Sequence, residues 1–164
     1  MNAQAQAEFD RAVRAVREEV DPYSALGVIG DGMDRLIGSR MFTFLRFDYG
    51  AFTMERLHGT QPGTYPRGSS KPMRRGHWYE TLVDRGEVFI AAGEKEMGET
   101  FGDFASLKAL GVTSTMCVPV RYLGKTLGTM NLNGDEGRYG PDAAALALPF
   151  ATLAVPAFLS IPRP

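Results

Sequence analysis

Gly111 to Leu132, GVTSTMCVPVRYLGKTLGTMNL, is the stretch on which the fold turns. Gly111 reads as a helix stop, because a glycine just past a helical run adopts the left-handed conformation at little cost. A buried strand follows and ends in Val118-Pro119-Val120. A tight turn around Gly124 then leads into a second buried strand carrying Leu127-Gly128-Thr129-Met130-Asn131-Leu132. Strands joined by so short a turn pair antiparallel.

Working outward, the chain before the hairpin alternates helical and extended signals. Phe9, Ala12, Val13, Val16 and Val20 fall at helical spacing and predict a first helix over about Ala3–Val20. Asp10–Arg14 and Arg14–Glu18 are i,i+4 pairs on its outer faces. Asp21 before Pro22 reads as an N-cap with proline at the first helical position. A second helix, Tyr23–Ile37, carries Leu26, Ile29, Met33 and Leu36. Gly27, Gly30 and Gly32 within it imply either close packing or an irregular helix, each weakening it by about 1 kcal/mol relative to alanine. Met41–Asp48 and Thr53–Leu57 read as strands. The polar stretch His58–Gly76 is long for a loop without regular structure, and such loops are usually functional or disordered. Trp78–Arg85 reads as a short helix stopped by Gly86, and Val88–Ala92 as a short strand. Phe101, Phe104 and Leu107 share one face of another short helix. Beyond the hairpin lie a polar loop, Asn133–Pro141, and a terminal helix capped near Asp142.

Composition narrows the function classes. The chain has 164 residues with a formal net charge of −1, from 18 basic and 19 acidic residues. No global field attracts nucleic acid or an anionic membrane, so neither is an expected partner. Cys117 is the sole cysteine, which leaves no internal disulfide and no cysteine-rich metal site and favours a reducing cytoplasm. The first residues lack the basic start and apolar core of a secretory signal. The uncharged run Ala143–Ile161 has the length of a membrane span, but alanine dominates it and Pro149 and Pro156 interrupt it. A kinked helix packed on a sheet or a second subunit is the expected form.

The pattern from about Asp21 to Leu159 resembles GAF domains, small sensory modules. More narrowly, RLHGTQPGTYPRGSSKPM and VPVRYLGKTLGTMNL resemble a group of short, stand-alone bacterial GAF proteins. The resemblance implies an α+β fold, GAF/PAS-like, occupying residues 1–164 as a single domain. A central antiparallel sheet of about six strands would carry the N-terminal helix (1–20) and C-terminal helix (142–160) on one face. Short helices and loops would enclose a ligand pocket on the other. Its roof would be Thr64–Tyr79 and Phe101–Leu110, with Tyr65, Lys71, Arg74, His77, Trp78, Phe101, Phe104 and Leu107 as ligand-binding candidates. Its floor would be Ser114, Met116, Thr129 and Asn131. The function implied is non-enzymatic sensing of a small organic ligand, reported through a homodimer or another partner. The surface of Phe9, Val13, Val16 and the alanine-rich terminal helix would serve the homodimer.

Departures from known GAF chemistries narrow this further. The Asn-Lys-Phe signature of cyclic-nucleotide binders has only its Asn near Asn131–Asp142. Bilin attachment wants a cysteine in a helix or loop, whereas Cys117 lies mid-strand. Free methionine-R-sulfoxide reductases form disulfides between cysteines, and this chain has one. No cofactor is implied.

Each candidate also has a plainer reading. Cys117 is either a redox nucleophile or a buried structural thiol, and its apolar neighbours favour the latter. Lys71-Pro72-Met73-Arg74-Arg75, with Arg67 upstream, either meets an anionic ligand group or is a solvated loop. His77 and Trp78 either face a ligand or cap the helix they begin. His58 has no partner motif and reads as a surface residue. Gly124-Lys125-Thr126 resembles the end of a phosphate loop, but the glycine required five residues earlier is Pro119. Two histidines are too few for most paired-histidine metal sites. A redox enzyme built on Cys117 and a pure interaction module remain as alternatives to the sensor.

Overall fold

A computed structural model describes residues 1–164. Its centre is one six-stranded sheet, entirely antiparallel. In chain order the elements begin with α1 (Ala3–Glu18), α2 (Pro22–Leu36), β1 (Met41–Asp48), β2 (Thr53–Gly59) and β3 (Ser70–Pro72). Next come α3 (His77–Tyr79), running into a π-helical turn (Glu80–Arg85), then β4 (Phe89–Ala91), α4 (Glu94–Thr100) and α5 (Phe104–Ala109). The hairpin β5 (Ser114–Tyr122) and β6 (Lys125–Gly134) leads to α6 (Pro141–Leu153) and α7 (Val155–Ser160). Spatially the strands run β3-β2-β1-β6-β5-β4, so β1 and β6, far apart in sequence, form the middle of the sheet. The α+β architecture matches the expectation: terminal helices cover one face and short helices the other.

The two faces have separate cores. Leu26, Ile29, Met33, Phe42, Phe44, Met116, Met130, Phe150 and Phe158 pack between the sheet and α1, α2, α6 and α7. Leu45, Phe47, Trp78, Leu82, Met97 and Leu107 pack between the sheet and the short helices. Because side chains alternate across a strand, a strand covered on both faces is apolar throughout, which is why MFTFLRFD is legible as β1. Arg46, 2% exposed, is the exception on the helix face. Its guanidinium donates to Glu55 at 2.7 Å and to the carbonyls of Ile161 and Pro162, tying the chain's end to β1 and β2.

Of the glycines in α2, Gly30 belongs to close packing, while Gly27 and Gly32 have ordinary contacts. A Cβ on Gly30 would sit 2.9 Å from the Phe42 ring, so only glycine lets the helix lie so near the sheet. The Asp21 side chain accepts from the Tyr23 amide at 3.3 Å, as an N-cap should.

Several elements depart from expectation. α1 ends at Glu18, and Val20 is fully exposed beyond it. Phe9 and Val16 are partly buried against the helix-side core, Phe9 edge-on to Phe150 at 5.4 Å. The charge pairs also differ. Buried Glu8 accepts two bonds from Arg35, at 2.9 and 2.8 Å, and lies 3.5 Å from Arg11, clamping α1 to α2. The stretch His58–Gly76 contains β3, which pairs with the free edge of β2. α4 escapes sequence reading because only Met97 on it is buried. Phe101 is not helical; it is extended between α4 and α5. The terminal helix breaks at Ala154 into α6 and α7, and no helix is long and apolar enough to cross a membrane.

Candidate functional site

The lid face of the sheet carries a polar floor inside an otherwise apolar layer. In the central strands the odd-numbered residues face the lid: Thr43, Thr115, Cys117, Asn131 and Asn133. Pairing of Cys117 with Asn131 and of Thr115 with Asn133 sets them side by side. The Thr115 hydroxyl donates to Asn133 Oδ1 at 2.8 Å, Asn133 Nδ2 donates to the Met41 carbonyl at 3.1 Å, and Asn131 Nδ2 donates to Thr43 Oγ1 at 3.3 Å. Asn131 Oδ1 and the Thr129 hydroxyl are buried and make no protein hydrogen bond. Buried polar atoms are nearly always satisfied by protein or by ordered water, so these two have capacity for a partner outside the chain.

Two hollows lie above this floor. The inner chamber measures about 20 Å³, close to the space for one water. The outer cleft measures about 210 Å³ and is walled by Lys71, Arg74, Trp78, Phe101, Gly102 and Asp103. Lys71, Trp78, Phe101 and Asp103 border both hollows, so the partition between them is made of side chains. Asp103 closes it by accepting from the Tyr65 hydroxyl at 2.9 Å and from Lys71 Nζ at 3.4 Å. Behind Tyr65 stands Arg56, its guanidinium 4.5 Å from the ring centroid. A third hollow of about 410 Å³ opens on the far side of Trp78 and Arg74, between His77, Phe89, Glu96 and Glu99.

Charge in the partition is uneven. Burial works to raise the Asp103 carboxyl, but Lys71 and the Tyr65 hydroxyl outweigh it and hold it below the usual carboxylate range. Burial pushes the Tyr65 phenol upward, with the Asp103 charge adding to it. Burial also lowers the Arg56 guanidinium, against the opposing pull of Tyr65 and Asp103. Burial raises the Cys117 thiol to about 11, which leaves it protonated and a poor nucleophile near neutral pH. No three His, Cys, Asp or Glu side chains gather as a metal-binding group.

The structure brings together Lys71, Arg74, Trp78 and Phe101 around the outer cleft, and Tyr65, Leu107 and Asn131 around the inner chamber. Other candidates lie elsewhere. His77 is exposed and borders the third hollow, its ring 5.8 Å from Phe89. Phe104 packs within the lid, outside either lining, and Thr129 faces the lid beyond the chamber. Ser114 and Met116 are corrected outright. Met116 points into the helix-side core, and the Ser114 hydroxyl donates to the Asp135 carbonyl. The reason is a bulge between Val120 and Arg121. Tyr122 pairs with Lys125 at the two-residue turn; without the bulge that register would set Met116 opposite Asn131. The extra residue is Leu127 on β6, which slips the pairing by one, so Cys117 takes that place while β5 keeps its own alternation. His58 is also corrected. It is half-buried near the Phe42 and Phe44 rings, and burial lowers its pKa.

Arg56, Asp103, Thr43, Thr115 and Asn133 stand in the site without having been marked by the sequence. For Thr115 and Asn133 the signal was available: they share a face with Asn131 once alternation and the bulge are counted. Arg56 and Asp103 carry no local signal.

No family model matches the chain, and comparison with curated proteins returns no match. Solved structures do resemble it. The GAF domain of an Acinetobacter phosphoenolpyruvate-protein phosphotransferase superposes with a TM-score of 0.75 at 13% identity, over 97% of this chain and 95% of that one. The GAF domain of the phosphoenolpyruvate-protein phosphotransferase from Coxiella burnetii gives 0.74 at 13% identity, over 93% and 91%. A free methionine-R-sulfoxide reductase from Neisseria meningitidis, in complex with its substrate, gives 0.71 at 14% identity, over 97% and 92%. At such identities the likeness is one of fold, and the fold is that of GAF domains.

Proposed function

We propose that this protein is a non-enzymatic sensory module that binds a small organic ligand in the outer cleft, one with an acidic group and a planar or apolar body. The observation that carries the reading is the composition of that cleft. Lys71 and Arg74 supply cationic donors and Trp78 and Phe101 supply flat apolar walls around about 210 Å³. That volume lies below the range typical of drug-sized ligands and matches a compact metabolite. The burial of Cys117, the sole thiol, speaks against disulfide-forming reductase chemistry.

Ligand binding reorganises the partition formed by Tyr65, Lys71 and Asp103, and the change reaches the far side of the sheet through β2. Met54 and Arg56 on that strand face the hollows, while Glu55 between them holds Arg46 and, through it, the chain's end. Exposed Val20, Leu148 and Leu159 on the helical side supply apolar contacts for a homodimer or another partner. The balanced charge and single cysteine fit a bacterial cytoplasmic protein. A thermal-shift screen of metabolites, with native mass spectrometry of co-purifying compounds, tests the reading. A ligand at a hundred times its Kd stabilises by about 2.7 kcal/mol, a shift of several degrees. Absence of any shift across a broad library, with no co-purifying compound, would overturn it.

A further inference from the structure

We propose that Asp103 is a built-in competitor for the ligand, and that the ligand's acidic group is a carboxylate that displaces Asp103 from Tyr65 and Lys71 and neutralises Arg56. This rests on the sensor reading above and names the chemical class that such a site would take.

The first support is a charge imbalance. The two hollows are bordered by three cations, Arg56, Lys71 and Arg74, and by one anion, Asp103. Arg56 is 4% exposed, yet no carboxylate lies within ion-pair distance of it. Its guanidinium has one side-chain hydrogen bond, to the Ser69 hydroxyl at 3.2 Å, and its Nε is buried with no partner. A buried cation without a counter-ion is costly, and one that borders a cleft is a candidate for completion by an anionic ligand.

The second support is what already sits in the seat. Asp103 presents one carboxylate oxygen to a phenol and an ammonium at once. It is delivered by the short connection between α4 and α5, a segment held by its flanks and not by a strand. A ligand carboxylate would accept the same two hydrogen bonds, so the exchange conserves charge and donor satisfaction at Tyr65 and Lys71. It releases Asp103 to water and, once the chamber widens, lets the incoming carboxylate reach Arg56, which Asp103 does not. The inner chamber is too small for a carboxylate while the seat is closed, so ligand entry and movement of the Phe101–Phe104 connection are one event. Asn131 Oδ1, unpaired on the floor, becomes available to a donor group on the same ligand, or to a bridging water, once the chamber widens.

The test uses benzoate as probe, with benzamide, acetate and inorganic phosphate as comparison arms, by calorimetry on the full chain. If the closed seat is the dominant state, Asp103→Asn tightens benzoate binding by about tenfold, because apparent affinity scales with the open fraction. Asp103→Glu restores wild-type affinity, and adding Arg56→Met to Asp103→Asn removes the gain. In the unmutated protein, carboxyl-labelled Asp103 followed by NMR titrates at an ordinary carboxylate pKa once benzoate is saturating. Equal gains for benzamide, a gain for phosphate without one for benzoate or acetate, or an Asp103 that keeps its depressed pKa at saturation would each overturn the proposal. A neutral or cationic metabolite that raises the melting temperature equally in wild type and Asp103→Asn would overturn it while leaving the sensor reading intact.

Discussion

Replacing Arg56 by methionine should make this protein more stable. Arg56 is buried against Tyr65 with no carboxylate in ion-pair range. The effective penalty for removing an ion from water is several kcal/mol after relaxation. Against it stand one charge-assisted hydrogen bond to Ser69, worth about 1.5–3 kcal/mol, and one cation–π contact with Tyr65, worth about 0.5–2 kcal/mol. At 3.2 Å the Ser69 bond is long, so the two contacts fall at the low end of their ranges, together about 2 kcal/mol. A penalty of about 3–4 kcal/mol then leaves the guanidinium destabilising by about 1–2 kcal/mol. Methionine keeps the apolar stem that packs over Gly59 and asks for no partner. Arg56→Met is therefore expected to raise the free energy of unfolding by about 1–2 kcal/mol, or the melting temperature by about 2–8 °C for a chain of this size. Urea titration at pH 7 measures it, with an unchanged m-value showing that the unfolding transition itself is the same. A loss of more than about 1 kcal/mol would refute the reasoning. It would mean that Arg56 is a satisfied structural cation and that the site holds no excess positive charge.

Three further perturbations probe the frame around the site. Gly128→Ala should cost about 3–5 kcal/mol in urea titration, since its Cβ would lie 2.0 Å from the Leu45 carbonyl and 2.6 Å from Phe158, while Gly63→Ala, in open space, should stay within about 0.5 kcal/mol. Because burial holds the His58 pKa below its unfolded value of about 6.5, its contribution to stability is complete above that pH and is lost as pH falls toward the folded value; His58→Gln should flatten the slope of melting temperature between about pH 6.5 and 5. Cys117, buried with its thiol at about 11, should resist maleimide at pH 7.5 in the native protein and react fully in urea, and rapid native labelling would show the floor to be open.

What the sequence revealed and what it hid follow from the range of the interactions involved. The hairpin was legible because Val118-Pro119-Val120 and Leu127–Leu132 are covered on both faces, and β1 was legible for the same reason. The close turn of α2 on the sheet was half-legible: three glycines announced it without naming Phe42 as the neighbour. β3 was hidden because Ser70-Lys71-Pro72 has no strand character of its own and pairs only because β2 offers a free edge. α4 was hidden because a helix with one buried residue has no stripe to detect.

The site divides along the same line. Tyr65, Lys71, Arg74, Trp78 and Phe101 could be picked out because large aromatic and cationic side chains stand out beside a Gly- and Pro-rich loop. The floor could be chosen by alternation only if the bulge opposite Val120 and Arg121 were known: with the extra residue Leu127 in β6, Thr115 and Cys117 share a face with Asn131, and Ser114 and Met116 do not. Arg56 and Asp103 were beyond local reading altogether. In isolation an arginine at strand spacing and an aspartate before a short helix both read as solvated charges. Their meaning comes from desolvation: the fold buries one without a counter-ion and folds the other over the opening beside it. A lone buried charge costs stability that packing alone would have removed. A buried charge of this kind next to a hollow is what the proposed ligand would complete, and a pattern of residue types cannot supply it.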